Sequence, residues 1–323
     1  MSAPGGERNL PTGDQWAIAH GQQTAVVTEV GATLRSYTLE RRELLAGFDE
    51  TEWSHGSRGQ VLAPWPNRLG DGSYEFDGVS GSAALDEPSR GNAIHGLVRW
   101  LPWRLESHAQ NVVALACQLY PTPAYPFTLV LRVEYRLGRD GLVVSTVASN
   151  VGTQTLPFGI GFHPYLQPGS DKIDLAVLSL PARERLVLDD RGLPTGDVRP
   201  VTGTEYDFTD GRLIGPTRLD TPFTQMERDA EGLAWAMIDD PSGEHRLSLW
   251  MDGGFRYLMC YTGDTLDDPS ERRRAVALEP MTCPPDAFRS GRDLVVLEPG
   301  QSWEASWGLT AVRPSLELDQ EEE

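Results

Sequence analysis

Four chemically active side chains stand in short segments that otherwise consist of glycine, proline, aromatic and small residues. A proline or glycine lies within two residues of each, so the backbone that carries it is held at little entropic cost. A carboxylate is ionised at neutral pH, and a histidine with an ordinary pKa of about 6.5 can carry a proton, so the two types together could perform general acid–base chemistry. The four residues are Arg68, His95, His163 and Glu279.

Each of these residues also has a structural interpretation. His163, in GIGFHPYLQPG, could be a core or turn histidine whose ring nitrogens bind backbone groups, and Arg68 could form a surface salt bridge. The Leu-Glu-Pro sequence around Glu279 occurs again at Glu298, where Gly300 follows and predicts a hairpin turn. We therefore interpret Glu298 as structural.

Several catalytic motifs are absent from the sequence. It contains no GxSxG elbow, Walker phosphate loop or HExxH, and GIGFHP lacks the third glycine of a dinucleotide-binding turn. The six histidines include no closely spaced pair of metal-ligand type, although distant positions could still combine. Nucleotide, hydride and serine-ester chemistry therefore have no support, and we expect neither a metal nor a cofactor.

Composition restricts the partners and the compartment. The chain has 28 Lys plus Arg against 47 Asp plus Glu and a formal net charge of −19, so we expect no nucleic acid and no membrane as partner. Three widely spaced cysteines and the absence of a signal-peptide pattern favour a cytoplasmic location. We expect a monomer or a small homo-oligomer.

The elements that must position these side chains are strands. Short β-rich runs separated by turn residues predict an all-β fold with little helix, built from large antiparallel sheets around one core. We predict a single domain over residues 14–313, with frayed tails at 1–13 and 314–323. The predicted hairpins are 128–150 with its turn at Arg139-Asp140-Gly141, 246–263 with its turn at Asp252-Gly253-Gly254, and 293–312 with its turn at Pro299-Gly300.

The order of four motifs resembles the aldose 1-epimerase (galactose mutarotase) family. PNR with a following GxYxFxG, then HG, then GFHPY, then LEPxTxxPDAF occur in sequence between about residues 20 and 310. The resemblance implies a β-supersandwich and a cofactor-independent interconversion of the α and β anomers of a free aldose such as galactose or glucose. That reaction needs a base for the anomeric hydroxyl and an acid for the ring oxygen.

The same resemblance implies roles for individual residues. Glu279 would be the base and His163 the acid. His95 would bind near the ring oxygen, and Arg68 would hold sugar hydroxyls with its fork of donors. Asp220, in RLDTPFTQM, is the best match to the aspartate that grips distal hydroxyls.

The substrate-binding set also includes Asn67 and Trp65, which belong to or precede the PNR motif. A pyranose has an apolar face, so an aromatic platform is expected. Trp65, Trp100, Tyr165 and Phe223 are the candidates.

Alternatives of function remain open. A hexose-6-phosphate epimerase would need a basic cluster near C6, for which Arg272–Arg274 are candidates, although consecutive strand residues alternate faces. A sugar-binding protein without catalysis would not need both an acid and a base. Arg289 follows PDAF where the family often has asparagine, and the preferred sugar stays undecided.

Overall fold

The computed structural model describes residues 10–312, and the rest of both predicted tails lies outside the described residues. Residues 10–13 are not frayed as predicted. Thr12 is buried, and its carbonyl accepts a hydrogen bond of 3.0 Å from the Val30 N–H. The first strand therefore begins from an anchored segment.

Strands make up most of the ordered structure, as the all-β prediction required. The first thirteen are β1 (Gln15–His20), β2 (Gln23–Thr28), β3 (Leu34–Leu39), β4 (Arg42–Glu43), β5 (Val61–Leu62), β6 (Arg68–Gly70), β7 (Ser73–Phe76), β8 (Val79–Ser82), β9 (Asn92–Ile94), β10 (Arg104–Ala109), β11 (Val112–Leu119), β12 (Leu129–Gly138) and β13 (Gly141–Asn150).

The second half of the chain adds fourteen strands and a single turn of α-helix, α1 (Ala287–Ser290). These strands are β14 (Leu156–Phe158), β15 (Gly161–Phe162), β16 (Tyr165–Leu166), β17 (Val177–Ser179), β18 (Ala182–Leu188), β19 (Pro194–Pro200), β20 (Arg212–Leu213), β21 (Asp220–Met226), β22 (Ala234–Asp239), β23 (Arg246–Met251), β24 (Tyr257–Tyr261), β25 (Val276–Met281), β26 (Val295–Leu297) and β27 (Ser302–Val312). Short 3₁₀ turns lie at His55–Ser57, Val98–Trp100 and Ile173–Leu175.

Two large antiparallel sheets dominate the fold. One has nine strands in the order β10-β11-β12-β13-β27-β23-β22-β17-β20. The other has eight strands, β19-β18-β21-β24-β25-β15-β5 with β16 also paired to β25. Phe162 of the second sheet and Trp307 of the first meet with ring centroids 5.2 Å apart, so the two sheets share one buried core. The remaining sheets are β1-β2-β3-β4, β6-β9, β7-β8 and β14-β26.

One of the three predicted hairpins is confirmed. β12 and β13 pair along their length, with Gly138 opposite Gly141, and Gly141 has a φ of 123° that favours glycine. An Asp-Gly turn between two runs of alternating apolar and polar residues favours pairing of these two runs, because they are adjacent in the sequence.

The other two predicted hairpins are wrong. Asp252-Gly253-Gly254 carries the chain from β23 in the nine-stranded sheet to β24 in the eight-stranded sheet. Gly254 is needed for close packing, since a Cβ there would lie 2.4 Å from the Ala305 Cβ. Pro299-Gly300 likewise turns the chain from β26, which pairs with β14, into β27, which pairs with β13 and β23. Both turns exist, but each joins strands of different sheets.

None of the helices within residues 10–312 has the length and apolar character needed to cross a bilayer.

Candidate active site

The strand register brings His163 and Glu279 face to face. β15 and β16 both pair with β25, with Gly161 opposite Met281 and Tyr165 opposite Ala277. His163 sits between β15 and β16, so the same antiparallel register places it across from Glu279. Its Nε2 lies 3.4 Å from Oε1 of Glu279.

The alternation of β25 aims Glu279 away from the sandwich core. Val276 and Leu278 belong to the main hydrophobic core, whereas Ala277 and Met281 pack in small clusters on the opposite face. Successive strand side chains point to opposite faces, so Glu279 shares the second face, and it lines a cleft there. The carboxyl is nevertheless only 2% exposed.

The backbone around His163 is fixed from both sides. Its N–H donates to the Gln60 carbonyl at 3.2 Å, and its carbonyl accepts from the Gly59 N–H at 2.9 Å. The imidazole stacks on the Tyr165 ring at 4.9 Å between centroids and 11° between planes, and the His95 ring meets it edge-on at 5.3 Å. The ring therefore has little freedom to rotate away from Glu279.

Three buried polar atoms at the centre of the cleft have no hydrogen-bond partner within residues 10–312. Buried groups of this kind are normally paired, and leaving one unpaired costs about 1–3 kcal/mol. The three atoms are Nδ1 of His95, Nδ1 of His163 and Oε2 of Glu279. Such a cluster is suited to a polar ligand that supplies hydroxyl groups.

Arg68 and its neighbours form a second wall of the cleft. The Arg68 guanidinium binds Glu87 through Nε at 2.9 Å and lies 3.5 Å from Oδ2 of Asp220, while Nη1 has no partner in the described part of the chain. Asn67 adopts a left-handed φ of 55°, and its carbonyl accepts from the His95 N–H at 2.8 Å. The pairing of β6 with β9 thus ties Arg68, Asn67 and His95 into one rigid unit.

Burial favours the neutral forms of both members of the central pair. Desolvation raises the pKa of Glu279 well above its ordinary value, the charge of Asp220 acts in the same direction, and Arg68 opposes it. Desolvation lowers the pKa of His163 to about 3, and the charges of Arg99 and Arg58 contribute to this. A protonated Glu279 facing a neutral His163 is therefore the favoured form of the pair, whereas a carboxylate with an ordinary pKa would be ionised at neutral pH.

The pKa of His95 is also well below its ordinary value. Desolvation is the main cause, and positive charge on His163, Arg99 or Arg68 would add to it. His95 thus enters the site as a neutral imidazole that can accept or donate one hydrogen bond.

The cleft has a volume of about 840 Å³, and six of the seven residues predicted for catalysis and substrate binding line it. Trp65 does not line it: the side chain is 3% exposed and packs edge-on against Phe288 at 5.6 Å in the core. The six are Asn67, Arg68, His95, His163, Glu279 and Asp220, of which Asp220 has a side chain that is 37% exposed.

Two of the four candidate platforms are placed in the core. Phe223 follows Asp220 by three positions on β21, so the alternation of the strand turns it to the core face, where it is fully buried. Trp65 is buried as described above. Trp100, 43% exposed, and Tyr165 do line the cleft.

Several cleft residues were missed by the sequence analysis. Trp53 lies 5.6 Å from Trp100 at the mouth, and Tyr261 faces Asp220 across the β21–β24 pair. Arg58 and Arg99 also line the cleft. Arg99 lies inside the NAIHGLVRWLPW segment that was singled out for His95, so its proximity to a candidate site residue was an available signal.

The arginine row proposed as a basic cluster is not in the cleft. Arg273 instead binds Asp264 at 3.1 Å and the Gly215 carbonyl at 2.6 Å, and Arg272 donates to the Leu266 carbonyl. These residues lie in turns before β25 rather than on a strand, so their side chains hold neighbouring loops.

No group of three or more His, Cys, Asp or Glu side chains in residues 10–312 is placed to ligate a metal ion.

Comparison with known proteins identifies related sequences over most of the chain. The family model described as aldose 1-epimerase matches residues 14–310. The protein YihR of Escherichia coli (strain K12), which is uncharacterized, is 33% identical over 90% of this chain and 91% of its own length. Maltose epimerase of Levilactobacillus brevis is 27% identical over 87% of this chain and 89% of its own.

Solved structures show the same fold. A GalM/aldose epimerase homologue from C. elegans superposes with a TM-score of 0.83, covering 93% of this chain and 99% of that one at 22% identity. The match covers nearly the whole chain, so the fold implied by the sequence motifs is confirmed.

Proposed function

The chain belongs to the aldose 1-epimerase family of isomerases, and on that premise we propose that it interconverts the α and β anomers of a free aldose through Glu279 and His163. The observation that carries the proposal is the 3.4 Å approach of Nε2 of His163 to Oε1 of Glu279 inside a cleft. An acid and a base this close can serve one anomeric centre.

The reaction follows from that geometry. Glu279 as carboxylate removes the proton of the hydroxyl on C1, while protonated His163 delivers a proton to the ring oxygen. The bond between C1 and the ring oxygen breaks, and the open-chain aldehyde forms. Rotation about C1–C2 presents the other face, and the reverse transfers close the ring. Each positioned partner typically contributes on the order of 10²–10⁴ in rate.

The resting protonation state is compatible with this cycle. A protonated Glu279 facing a neutral His163 holds the same number of protons as a carboxylate facing an imidazolium. The two forms differ by one transfer across the 3.4 Å contact, so the reactive form needs no proton from solvent. A bound sugar whose hydroxyl groups form hydrogen bonds with Nδ1 of His163 and Oε2 of Glu279 would favour the carboxylate–imidazolium form.

Substrate positioning is proposed for the residues around this pair. Neutral His95 would donate or accept near the ring oxygen, and Arg68, with Nη1 unpaired in the described structure, would hold hydroxyl groups together with Asp220. Asn67 supports this wall through its backbone and its own side chain. Trp100 and Trp53 offer exposed aromatic faces for the apolar side of a pyranose.

We propose a monosaccharide as the substrate, with glucose and galactose as the first candidates. The epimerase name of the maltose-acting relative from Levilactobacillus brevis supports an anomeric reaction. A cytoplasmic location, one domain over residues 14–313 and a monomeric or small oligomeric form remain predictions from the sequence.

The direct test is the rate of anomer conversion of freshly dissolved α-D-glucose and α-D-galactose, followed by polarimetry or proton NMR. Glu279→Gln keeps the shape of the side chain but cannot accept the proton, so we expect the acceleration to fall by about 10²–10⁴. Glu298→Gln is the matched control and should retain the wild-type rate. Full activity in Glu279→Gln would contradict the assignment of the base, and wild-type protein that accelerates neither sugar would contradict neutral-hexose mutarotation.

A further inference from the structure

Two buried arginines that have no part in the proposed proton transfers line one end of the cleft. Arg58 and Arg99 are 8% and 9% exposed. In the described structure the buried Nε of Arg58 and the buried Nε of Arg99 have no hydrogen-bond partner. A buried guanidinium with free donors is costly unless an anion or acceptor completes it.

The two guanidinium groups are neighbours and are held in place. Nη1 of Arg99 donates to Oγ of Ser57, the residue before Arg58, at 3.2 Å. The Arg99 guanidinium lies 5.0 Å from the Trp100 ring centroid, and that of Arg58 lies 5.5 Å from the Tyr165 ring centroid. We call Arg58 and Arg99 the arginine pair.

The arginine pair lies on the His163 side of the cleft. Tyr165, under the Arg58 guanidinium, stacks directly on the His163 ring. Both arginines also lie close enough to lower the pKa of His163, whereas the nearest charges that act on Glu279 are Asp220 and Arg68. The cleft therefore has two ends: Arg68 with Asp220 near Glu279, and the arginine pair near His163.

Sugar stereochemistry decides which substituent reaches each end, and this step rests on the proposed function. With the C1 hydroxyl at Glu279 and the ring oxygen at His163, the next atom beyond the ring oxygen is C5, which carries C6. The substituent on C6 therefore extends past His163 toward the arginine pair. The hydroxyl groups on the C2 side extend toward Arg68 and Asp220.

The charges around the arginine pair set a limit on the charge of that substituent. Arg58 binds Glu271 at 3.2 Å and Arg99 binds Asp86 at 2.6 Å, and these carboxylates are 39% and 41% exposed. These two carboxylates are partly in contact with solvent, and further acidic residues line the cleft. They are Glu52, Asp267 and Asp268. A dianion meets more repulsion from this rim than a monoanion does.

We propose that the arginine pair binds a singly charged anionic group on C6 of the aldose, a carboxylate or a sulfonate. An oxyanion of either kind accepts two or more N–H donors at once, so one such group could pair with the Nε atoms of both arginines. The preferred substrate is then an acidic hexose rather than glucose, galactose or a hexose 6-phosphate.

The test compares kcat/KM for anomer conversion of four sugars: glucose, glucuronate, 6-deoxy-6-sulfoglucose and glucose 6-phosphate. We expect wild-type protein to favour at least one of the two monoanions over glucose and over the phosphate by about tenfold or more. Comparing the two monoanions distinguishes a carboxylate site from a sulfonate site. An equal or lower kcat/KM for both monoanions relative to glucose would overturn the inference, and so would a preference for the phosphate.

Variants assign the effect to the arginine pair. Arg58→Gln and Arg99→Gln should each reduce kcat/KM for the favoured monoanion by about ten- to a hundredfold while changing the value for glucose far less. Arg104→Gln, which removes an exposed arginine on β10, is the control. A uniform loss for all sugars would show a structural role and overturn the assignment. Arg58→Lys keeps the charge and provides a second variant if the glutamine variants unfold.

The outcome for Glu279→Gln separates this inference from the proposed function. Conversion of glucose that Glu279→Gln abolishes, with no preference for monoanions, overturns the arginine-pair proposal alone. Failure of the wild-type protein to accelerate any of the four sugars overturns both.

Discussion

The tripeptide Leu-Glu-Pro occurs twice, at residues 278–280 and 297–299, and its glutamate is buried in the first copy and exposed in the second. Glu279 lies in the middle of β25, with β24 on one side and β15 and β16 on the other, and is 2% exposed. Glu298 follows the three-residue strand β26 and is exposed at a turn, where its N–H donates to Oε1 of Gln301.

The leucines show that the two copies share the same local orientation. Leu278 and Leu297 both enter the main hydrophobic core, so alternation turns each following glutamate to the opposite face. The two glutamates differ in what they contact on that face. Glu279 faces His163 and lines the cleft, whereas Glu298 is exposed to solvent. A strand pattern therefore determines direction, while distant segments determine whether a carboxylate becomes functional.

The largest expected effect is on stability, and it concerns the buried leucine that both copies place in the core. Leu278→Ala and Leu297→Ala each remove a buried side chain from the same core, so each should lower the free energy of unfolding by about 2–5 kcal/mol. Urea denaturation monitored by tryptophan fluorescence measures this. If only Leu278→Ala is destabilising, the parallel between the two copies fails.

A pH series should sharpen the difference between the two glutamates. Because the pKa of Glu279 is raised by burial, the folded chain keeps its proton where the unfolded chain, with a pKa of about 4.3, has lost it. Wild-type stability relative to Glu279→Gln should therefore fall as pH rises from about 4.3 through the folded pKa of Glu279. Thermal unfolding from pH 4 to 8 measures the difference.

Wild-type stability has to be compared with that of Glu279→Gln because the titration of His163 changes stability with pH in the opposite direction. Its pKa of about 3 in the folded chain makes stability rise with pH between about 3 and 6.5. Glu298→Gln, which changes the exposed glutamate of the second copy, is the control variant for this series. A constant gap between wild-type protein and Glu279→Gln across the pH range would contradict the burial of Glu279.

The smallest expected effect concerns the residue that follows each copy. Gly300, after Glu298-Pro299, has a φ of 81° with open space around a would-be Cβ, whereas Met281, after Glu279-Pro280, continues β25. Gly300→Ala should cost about 1 kcal/mol from backbone strain alone, with no change in activity. A loss of activity in a Gly300→Ala protein of nearly normal stability would show that this turn communicates with the cleft.

Local signals in the sequence predicted local structure well. The Asp140-Gly141 turn identified its own hairpin because both partners lie beside it in the chain. The Asp252-Gly253-Gly254 turn looked the same but joins two sheets, since β23 and β24 find better partners far away. Turn residues reveal where a chain bends and leave open which strands then pair.

The central site residues could be found because an ordered set of motifs surrounds them. Arg99 lies four residues from His95 and so had a sequence signal, whereas Arg58 had none, because a single arginine has no distinctive sequence pattern and Arg58 approaches Arg99 through Ser57 in the fold. The prediction that Trp65 binds substrate was wrong for a different reason. Its neighbours in the sequence line the cleft, but its own side chain packs against Phe288 in the core. Proximity in sequence is no guide to direction where the chain is irregular.

The register that sets His163 against Glu279 also has a consequence for biosynthesis. His163 and its supports at Gly59 and Gln60 leave the ribosome long before Glu279, so β25 has to pair with β15 and β16 across more than a hundred residues of chain. Such distant pairing is slow because loop-closure entropy must be overcome before the contacts form. Activity therefore depends on the long-range pairing of β25 with β15 and β16, and its appearance during refolding reports that pairing.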